Sequence, residues 1–517
     1  MSPHLPWRRT ERRGLRLRPI GLVLVLAFAT ALLVASGVFY TAWELLGVNR
    51  VKQERRIDSQ TLFDMVKLAF GVVAGSGALV ALIVAYRRQR VDEDGALRDA
   101  TRLHTERFTT AVSQLGDESA AVRLGGIHSL AGLADDAPTQ ALRQTAIDVL
   151  CAYLRLPYTP EADLSPHDPD ARHVYLALRE VRHTVIRLIR DHLRLPLGHP
   201  HAWQGHDFDF TGVTFDGGDF ALAVFSGGTV SFSGATFSGG TVSFSGATFS
   251  GGTVDFSSAE FSPGTVSFSG SVFSGGRVYF RHALFSGGRV DFSRTEFSNG
   301  RVSFNQAEFS GVELDYSYAN FSGSTVEFHR VGFSSGRVDF IGAEFSDGAV
   351  EFNRVMFSGS EVGFSRAIFS GGSTSFNRVE FSGGVVEFGD AVFSGGWVQF
   401  DGAIFSGSRV EFNRIELSGG RVGFGNAVFS GGEVGFNNAE FSGGTAEFNE
   451  ALFSGGTVEF IRAKFSGSRV NFTGAVFSGG VVDFSGAFGA APNELVQASL
   501  SAPVGVILSA AWLPTGP

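Results

Sequence analysis

Three groups of residues in this sequence have types and spacings that invite a chemical reading. Gly332-Phe333-Ser334-Ser335-Gly336 has the G-x-S-x-G form of a hydrolase nucleophile turn. That serine needs a strand–turn–helix setting with acid and histidine partners. No base stands at a fixed spacing from it, and Gly332 merely replaces a residue that varies along the surrounding pattern. His199, His201 and His206 lie near Asp207 and Asp209. Imidazole and carboxylate ligate zinc, but this spacing fits no zinc pattern. No catalytic residue, metal ligand or cofactor is therefore assigned, and the chain is read as not an enzyme. The third group is a series of acids, Asp291, Asp315, Asp339, Glu387, Glu411, Glu459 and Asp483, with Gly363 and Gly435 in its two gaps. Carried to one face, they form either an acidic stripe that recognises a basic partner or a solvated face. In the second case Arg294, Arg366, Arg414 and Arg462, three residues further along, offset the repulsion of stacked like charges.

The element that must position these residues is a repeat. Phe225 to Thr236 reads Phe-Ser-Gly-Gly-Thr-Val-Ser-Phe-Ser-Gly-Ala-Thr, and the next twelve residues repeat it letter for letter. One phenylalanine series runs Phe225, Phe237, Phe249 and on to Phe477, broken once by Leu417. A second runs Phe232, Phe244, Phe256 and on to Phe484, with Tyr316 as its variant. A fixed period over half a chain implies stacked coils, none able to fold alone. Valine precedes one series by two places (Val230, Val242) and alanine mostly precedes the other (Ala235, Ala247). Inward residues at i−2 and i, with a polar or variable residue between them, describe short strands with one buried face. Paired glycines such as Gly239-Gly240 suit a corner that needs positive φ.

At the start of the array Phe210, Phe215, Phe220 and Phe225 are spaced by five, each preceded two places earlier by Phe208, Val213, Gly218 or Ala223. This resembles the pentapeptide-repeat family over residues 206–488. The resemblance implies a mainly β fold, a right-handed quadrilateral β-helix. The sequence departs from that pattern by two extra residues at every second corner, giving 5+7. If both corners turn the chain as in that family, two twelve-residue units make a coil. The alternative is a flat, two-sided solenoid with one unit per coil. At about 4.8 Å per strand, roughly 22 units give a rod of about 50 Å in the first case and about 105 Å in the second. The four-faced opening favours the first.

Composition narrows the function classes. The chain has 517 residues, 52 of them Phe and 68 Gly, one cysteine (Cys151) and a formal charge of −9. One cysteine excludes an intrachain disulfide framework and fits a reducing compartment. Residues 206–488 hold 29 acidic and 16 basic residues, so the remainder is slightly basic. That is not a general nucleic-acid-binding composition.

Ahead of the repeats, residues 1–19 form a basic tail with six arginines, followed by an apolar run over 20–43 long enough to span a bilayer. A loop over 44–67 leads to a second apolar run over 68–86, abutted by Arg87, Arg88 and Arg90. Two transmembrane helices are expected, with both ends cytoplasmic by the positive-inside tendency. Residues 87–200 read as a small α-helical module that caps the first coil. Residues 489–517 read as a C-terminal cap or tail. Hairpin, helical module and repeats together resemble the membrane-anchored pentapeptide-repeat proteins of some bacteria. The function expected is a non-catalytic scaffold at the cell membrane, binding an unknown protein or itself, with nucleic acid unlikely as a partner. The alternative, which the family resemblance implies, is a DNA mimic that regulates a type II topoisomerase.

Overall fold

The computed structural model describes residues 58–165, 167–495 and 504–513, with scattered positions between 25 and 44. The basic tail over 1–19 and most of the expected span over 20–43 lie outside the described residues. The chain divides into two units, Met1–Leu103 and His104–Pro517.

Helix α1, Ser59–Leu115, carries the apolar run over 68–86 and continues without a break into the segment read as a separate module. Leu68, Phe70, Val73 and Leu82 all point away from protein, the least exposed at 66%. Among the described residues α1 is the one helix long and apolar enough to cross a membrane, and no part of its apolar window is buried. Of the two expected spans, the one over 68–86 is thus a candidate, and the one over 20–43 falls mostly outside the described residues.

Three further helices follow. They are α2 (Ala120–Asp135), α3 (Gln140–Leu154) and α4 (Pro169–Leu193). Ile127, Leu130, Leu150, Val185 and Ile189 are wholly buried among them. Thr139 caps α3 by accepting from the Leu142 amide, and Asp168 caps α4 by accepting from Ala171, with Pro169 at the first helical position. Gly126 lets α2 meet the end of α1, since a Cβ there would stand 2.9 Å from the Ala111 carbonyl. Val112 and Val122 lie off this core and are each 38% exposed.

From Phe208 onward the chain is a β-solenoid. Strands pair in parallel with those 24 residues ahead: Phe225 with Phe249, Val230 with Val254, Phe261 with Phe285, Val266 with Val290. Two twelve-residue units therefore make one coil, and about twelve coils are stacked. Each coil contributes strand segments to two 20-stranded sheets, which we call sheets A and B. Sheet A holds Val224–Ser226 and Thr229–Ser231, while sheet B holds Thr236–Phe237 and Thr241–Ser243.

The rings fill the axis in four columns. Phe232 stacks on Phe256 at 4.7 Å, Phe244 on Phe268 at 4.9 Å, Phe237 on Phe261 at 4.8 Å and Phe249 on Phe273 at 4.8 Å. Their planes are within 10° of parallel. Coil spacing sets this distance, because each ring rides on its own strand. The two columns begun by Phe232 and Phe244 meet edge to face, at 5.6 Å and 89°. Parallel stacking within a column and edge contact between columns both suit the ring quadrupole. Leu417 fills its place in a column and is 1% exposed. Ser271 and Thr295 replace alanine in the inward slot, and their buried hydroxyls donate to the carbonyls of Phe244 and Phe268.

Tyr316 takes a phenylalanine place between Phe292 and Phe340, both at 4.8 Å, and is fully buried. Its hydroxyl has no partner, and burial pushes its pKa well above the ordinary tyrosine value. An unpaired buried hydroxyl costs about 1–3 kcal/mol. Tyr316→Phe is expected to raise the thermal midpoint. An unchanged or lower midpoint in parallel melts would mean that the hydroxyl is satisfied.

The corners follow one rule each. In the short corner, Phe-x-x-Ala, the residue before alanine is left-handed. It is glycine at 234 and 246 but Arg330 (φ 56°), Arg354 (58°) and Arg378 (56°) elsewhere. In the longer corner Gly252 has φ 65°, and a Cβ would stand 2.4 Å from the Gly228 carbonyl of the coil beneath. Only glycine admits that approach, and where Val312, Ser324, Ser360, Ser408 or Ser468 takes the same place the residue is not left-handed.

The last coil is covered by the C-terminal segment. Val506–Ile507 pairs with Val482 and Asp483, and Trp512 lies 5.7 Å from Phe465 and 5.5 Å from Phe484. Phe488 leaves the ring columns: it pairs beside Lys464 and is 48% exposed, while Gly489 takes the inward place.

Candidate interaction surface

Because the coil has 24 residues, every outward residue lies directly over its counterpart one coil below. The acidic series is one column on sheet B. Asp291 pairs in register with Asp315, Asp315 with Asp339, Asp339 with Gly363, and Gly363 with Glu387. The column continues through Glu411, Gly435, Glu459 and Asp483. The arginines that offset it are not those expected. Arg289 reaches Asp315 at 2.9 Å, Arg337 reaches Asp339 at 2.6 Å, and Arg409 reaches Glu411 at 2.6 Å. These arginines stand two residues before an acid of the column, so both side chains leave the same strand face. Arg294, Arg366, Arg414 and Arg462 sit instead at left-handed short corners. Arg414 pairs there with Asp390, through Nε at 2.7 Å and a terminal nitrogen at 2.8 Å. Distance along the chain does not predict these ion pairs, because the backbone turns at the corner between each acid and the arginine three residues on.

A second surface device is an amide ladder. Asn305 Oδ1 accepts from the His329 amide, Asn377 Oδ1 from Asp401, and Asp401 Oδ1 from Gly425, each one coil apart. At the other short corner Asn413 Oδ1 accepts from Asn437 and Asn437 Oδ1 from Ile461. These bonds tie coil to coil from outside, as the rings do from inside.

The functional motifs weighed on spacing alone resolve into structure. Phe333 is one ring of a column, and the Ser334 hydroxyl donates to the Phe309 carbonyl. His206 bonds Gln144 at 3.1 Å, Asp207 accepts from the Thr229 amide at 2.7 Å, and Asp209 pairs with Arg155. Among the described residues no group of His, Cys, Asp or Glu is arranged to hold a metal. Cys151 is wholly buried on α3, and burial pushes its thiol up to about 12.

One polar cluster escaped the sequence reading. Asp216 is 8% exposed and lies where α4 meets the first coil. It accepts from Tyr158 at 2.5 Å and Tyr175 at 2.7 Å, with His183 at 3.5 Å and Arg179 at 3.7 Å. Burial alone would raise its pKa, but the hydrogen bonds from His183, Tyr158 and Tyr175 prevail and lower it to about 2. The signal was present in the spacing. Phe215 to Phe220 is the one long corner that lacks the two-residue insertion, and Asp216-Gly217-Gly218-Asp219 fills it. Gly217 and Gly218 lie so close to α4 that a Cβ on either would stand 3.2 Å from His183 or Ile186. The corner is shortened where the helix rests.

The family described as pentapeptide repeats (9 copies) matches residues 206–260 and 239–284. The chain is a pentapeptide-repeat protein. The matched stretch includes the four-fold spacing of five, and the ring columns then continue beyond it to Phe484 with Tyr316 and Leu417 as variants. No curated protein and no solved structure matches the chain. The pentapeptide-repeat solenoid is thus shown by its own register, and its outer columns are what it presents to solvent.

Proposed function

We propose that this pentapeptide-repeat protein is a membrane-anchored scaffold, without catalytic activity, whose solenoid surface binds protein. The observation that carries the anchor is α1, whose apolar window is buried by none of the described residues. What supports the scaffold reading is an exterior of regular charged and amide columns over a core filled by rings. In the finer form of this reading, the four strand segments of each coil are the faces of a right-handed quadrilateral helix. The apolar run at 20–43 makes a second span, and both termini are cytoplasmic. Alkaline carbonate washing of membranes bearing the full chain tests the anchor. The chain is expected in the pellet, and its release into the wash would refute anchoring.

The acidic column keeps a second reading in view, a mimic of duplex DNA that regulates a type II topoisomerase. Arg289, Arg337 and Arg409, paired into that column, weigh against it, since a phosphate backbone has no interleaved cations. A supercoiling assay decides: no inhibition at micromolar protein ends this alternative.

A further inference from the structure

The two short corners of the coil treat arginine differently. At one, Arg366, Asp390 and Arg414 occupy successive coils, so an acid separates the cations, and Arg414 grips Asp390 with two nitrogens. At the other, Arg330, Arg354 and Arg378 occupy three successive coils with no acid between them. All three are exposed, and among the described residues none has a carboxylate within ion-pair distance. Each holds a left-handed backbone that glycine takes at positions 234 and 402 of the same column. Three stacked cations in strained positions, with nothing to offset them, form a surface that lacks its counter-charge.

The same solenoid carries the complement. Where the acidic column is interrupted by Gly363, a hollow of about 150 Å³ opens, walled by Asp339, Glu361 and Glu387. Arg337 also lines the hollow and is tied to Asp339; its charge reaches Glu361 and Glu387, but neither stands within ion-pair distance of a cation among the described residues. Three coils on, Gly435 makes a second notch between Glu411 and Glu459, with Glu433 two places before it; there Arg409 reaches Glu411 at 2.6 Å and Glu433 at 3.8 Å, and Glu459 has no ion-pair partner among the described residues.

We propose that the arginine column Arg330–Arg354–Arg378 docks against the glycine-notched acidic column of a second copy of this chain, so that the rods pair side by side. Shared pitch is what singles out a second copy. Both columns repeat once per coil, at roughly 4.8 Å. Two such rods with aligned axes keep cation and carboxylate in step over successive coils, whereas a partner of another fold has no reason to match that spacing. This rests on the scaffold reading and names its partner. Its failure would leave the membrane retention tested above untouched.

The test compares full-length chains in detergent by sedimentation at low and high salt. The first variant is R330E/R354E/R378E. Glu450 already occupies that corner column at φ 57°, so glutamate fits the backbone there. The second is E361R/E433R. Arg409 already occupies that column between Val385 and Glu433, so arginine fits there too. Wild type is expected to pair in a salt-sensitive way. Each variant alone should pair more weakly by about tenfold or more, and an equimolar mixture of the two should regain pairing. Pairing through the membrane helix would be salt-insensitive and equal in all three chains, and that result overturns the proposal. A monomeric wild type at tens of micromolar overturns it as well. So does unchanged pairing of R330E/R354E/R378E accompanied by lost retention on anionic vesicles, which would assign the arginines to lipid.

Discussion

Phe364→Ala is expected to destabilise the solenoid by about 3–5 kcal/mol, the usual range for deleting a buried ring. Phe364 is fully buried at mid-rod. It stacks on Phe340 and Phe388, each at 4.7 Å, and meets Phe352 and Phe376 edge-on at 6.0 and 5.5 Å. The cavity cannot collapse, because each neighbour is fixed to its own strand and each strand to the next coil. The loss falls on the interfaces of one coil with those above and below. In a stacked array such interfaces carry the cooperativity, so one unfolding transition should split into two. Denaturant unfolding followed by far-UV circular dichroism and by hydrogen exchange reads both effects. A single transition shifted by less than about 1 kcal/mol would show that the columns are not the source of stability.

The second large effect is at the other end of the array. Asp216→Ala removes the charged acceptor shared by Tyr158 and Tyr175 and leaves only their contact with each other, so one partly buried hydroxyl loses its acceptor. That costs about 1–3 kcal/mol. The cost falls on the docking of α4 against the first coil. Asp216→Asn keeps one acceptor oxygen and should lose less. The wild-type group also gives a pH signature. The folded pKa is about 2 against an unfolded value of 3.8, so its contribution is complete above about pH 4. It is lost as pH falls from there through about 2, an amount of roughly 2 kcal/mol at about 1.4 kcal/mol per unit. Exchange protection of α4 amides across this range should fall in wild type and stay flat in Asp216→Ala. Equal acid sensitivity of the two chains would assign the effect to other carboxylates.

Much of the solenoid was legible in the chain because its core obeys a strict rule of residue type. Phe at spacings of five and seven, with Val or Ala two places earlier, fixes which side chains point inward whatever the cross-section. The number of residues per coil was not fixed by that rule. A repeat of twelve fits one unit per coil or two, and only the pairing of Phe225 with Phe249 decides. The acidic column followed once that choice was made, as Asp291 over Asp315 shows. Its counter-charges did not follow, because a left-handed corner swings Arg294 and Arg366 away from the strand that holds the acids. The Asp216 cluster joins residues from a loop, a helix and a coil that no periodicity relates.

The mismatch between a twelve-residue unit and a 24-residue coil gives this rod a parity. Units 225–236 and 237–248 are identical, so slippage during copying can add or delete one unit with no penalty in the core. An odd change there turns everything beyond it by half a revolution: the whole acidic column from Asp291 to Asp483 moves together to the other side of the shaft, in line with itself but reversed with respect to the first coil and the helices packed on it. An even change only lengthens or shortens the shaft. Variants of this chain that keep the stripe on the same side as the helical cap should therefore differ in length by multiples of 24 residues, while those differing by twelve should keep both fold and stripe and present the stripe on the opposite side.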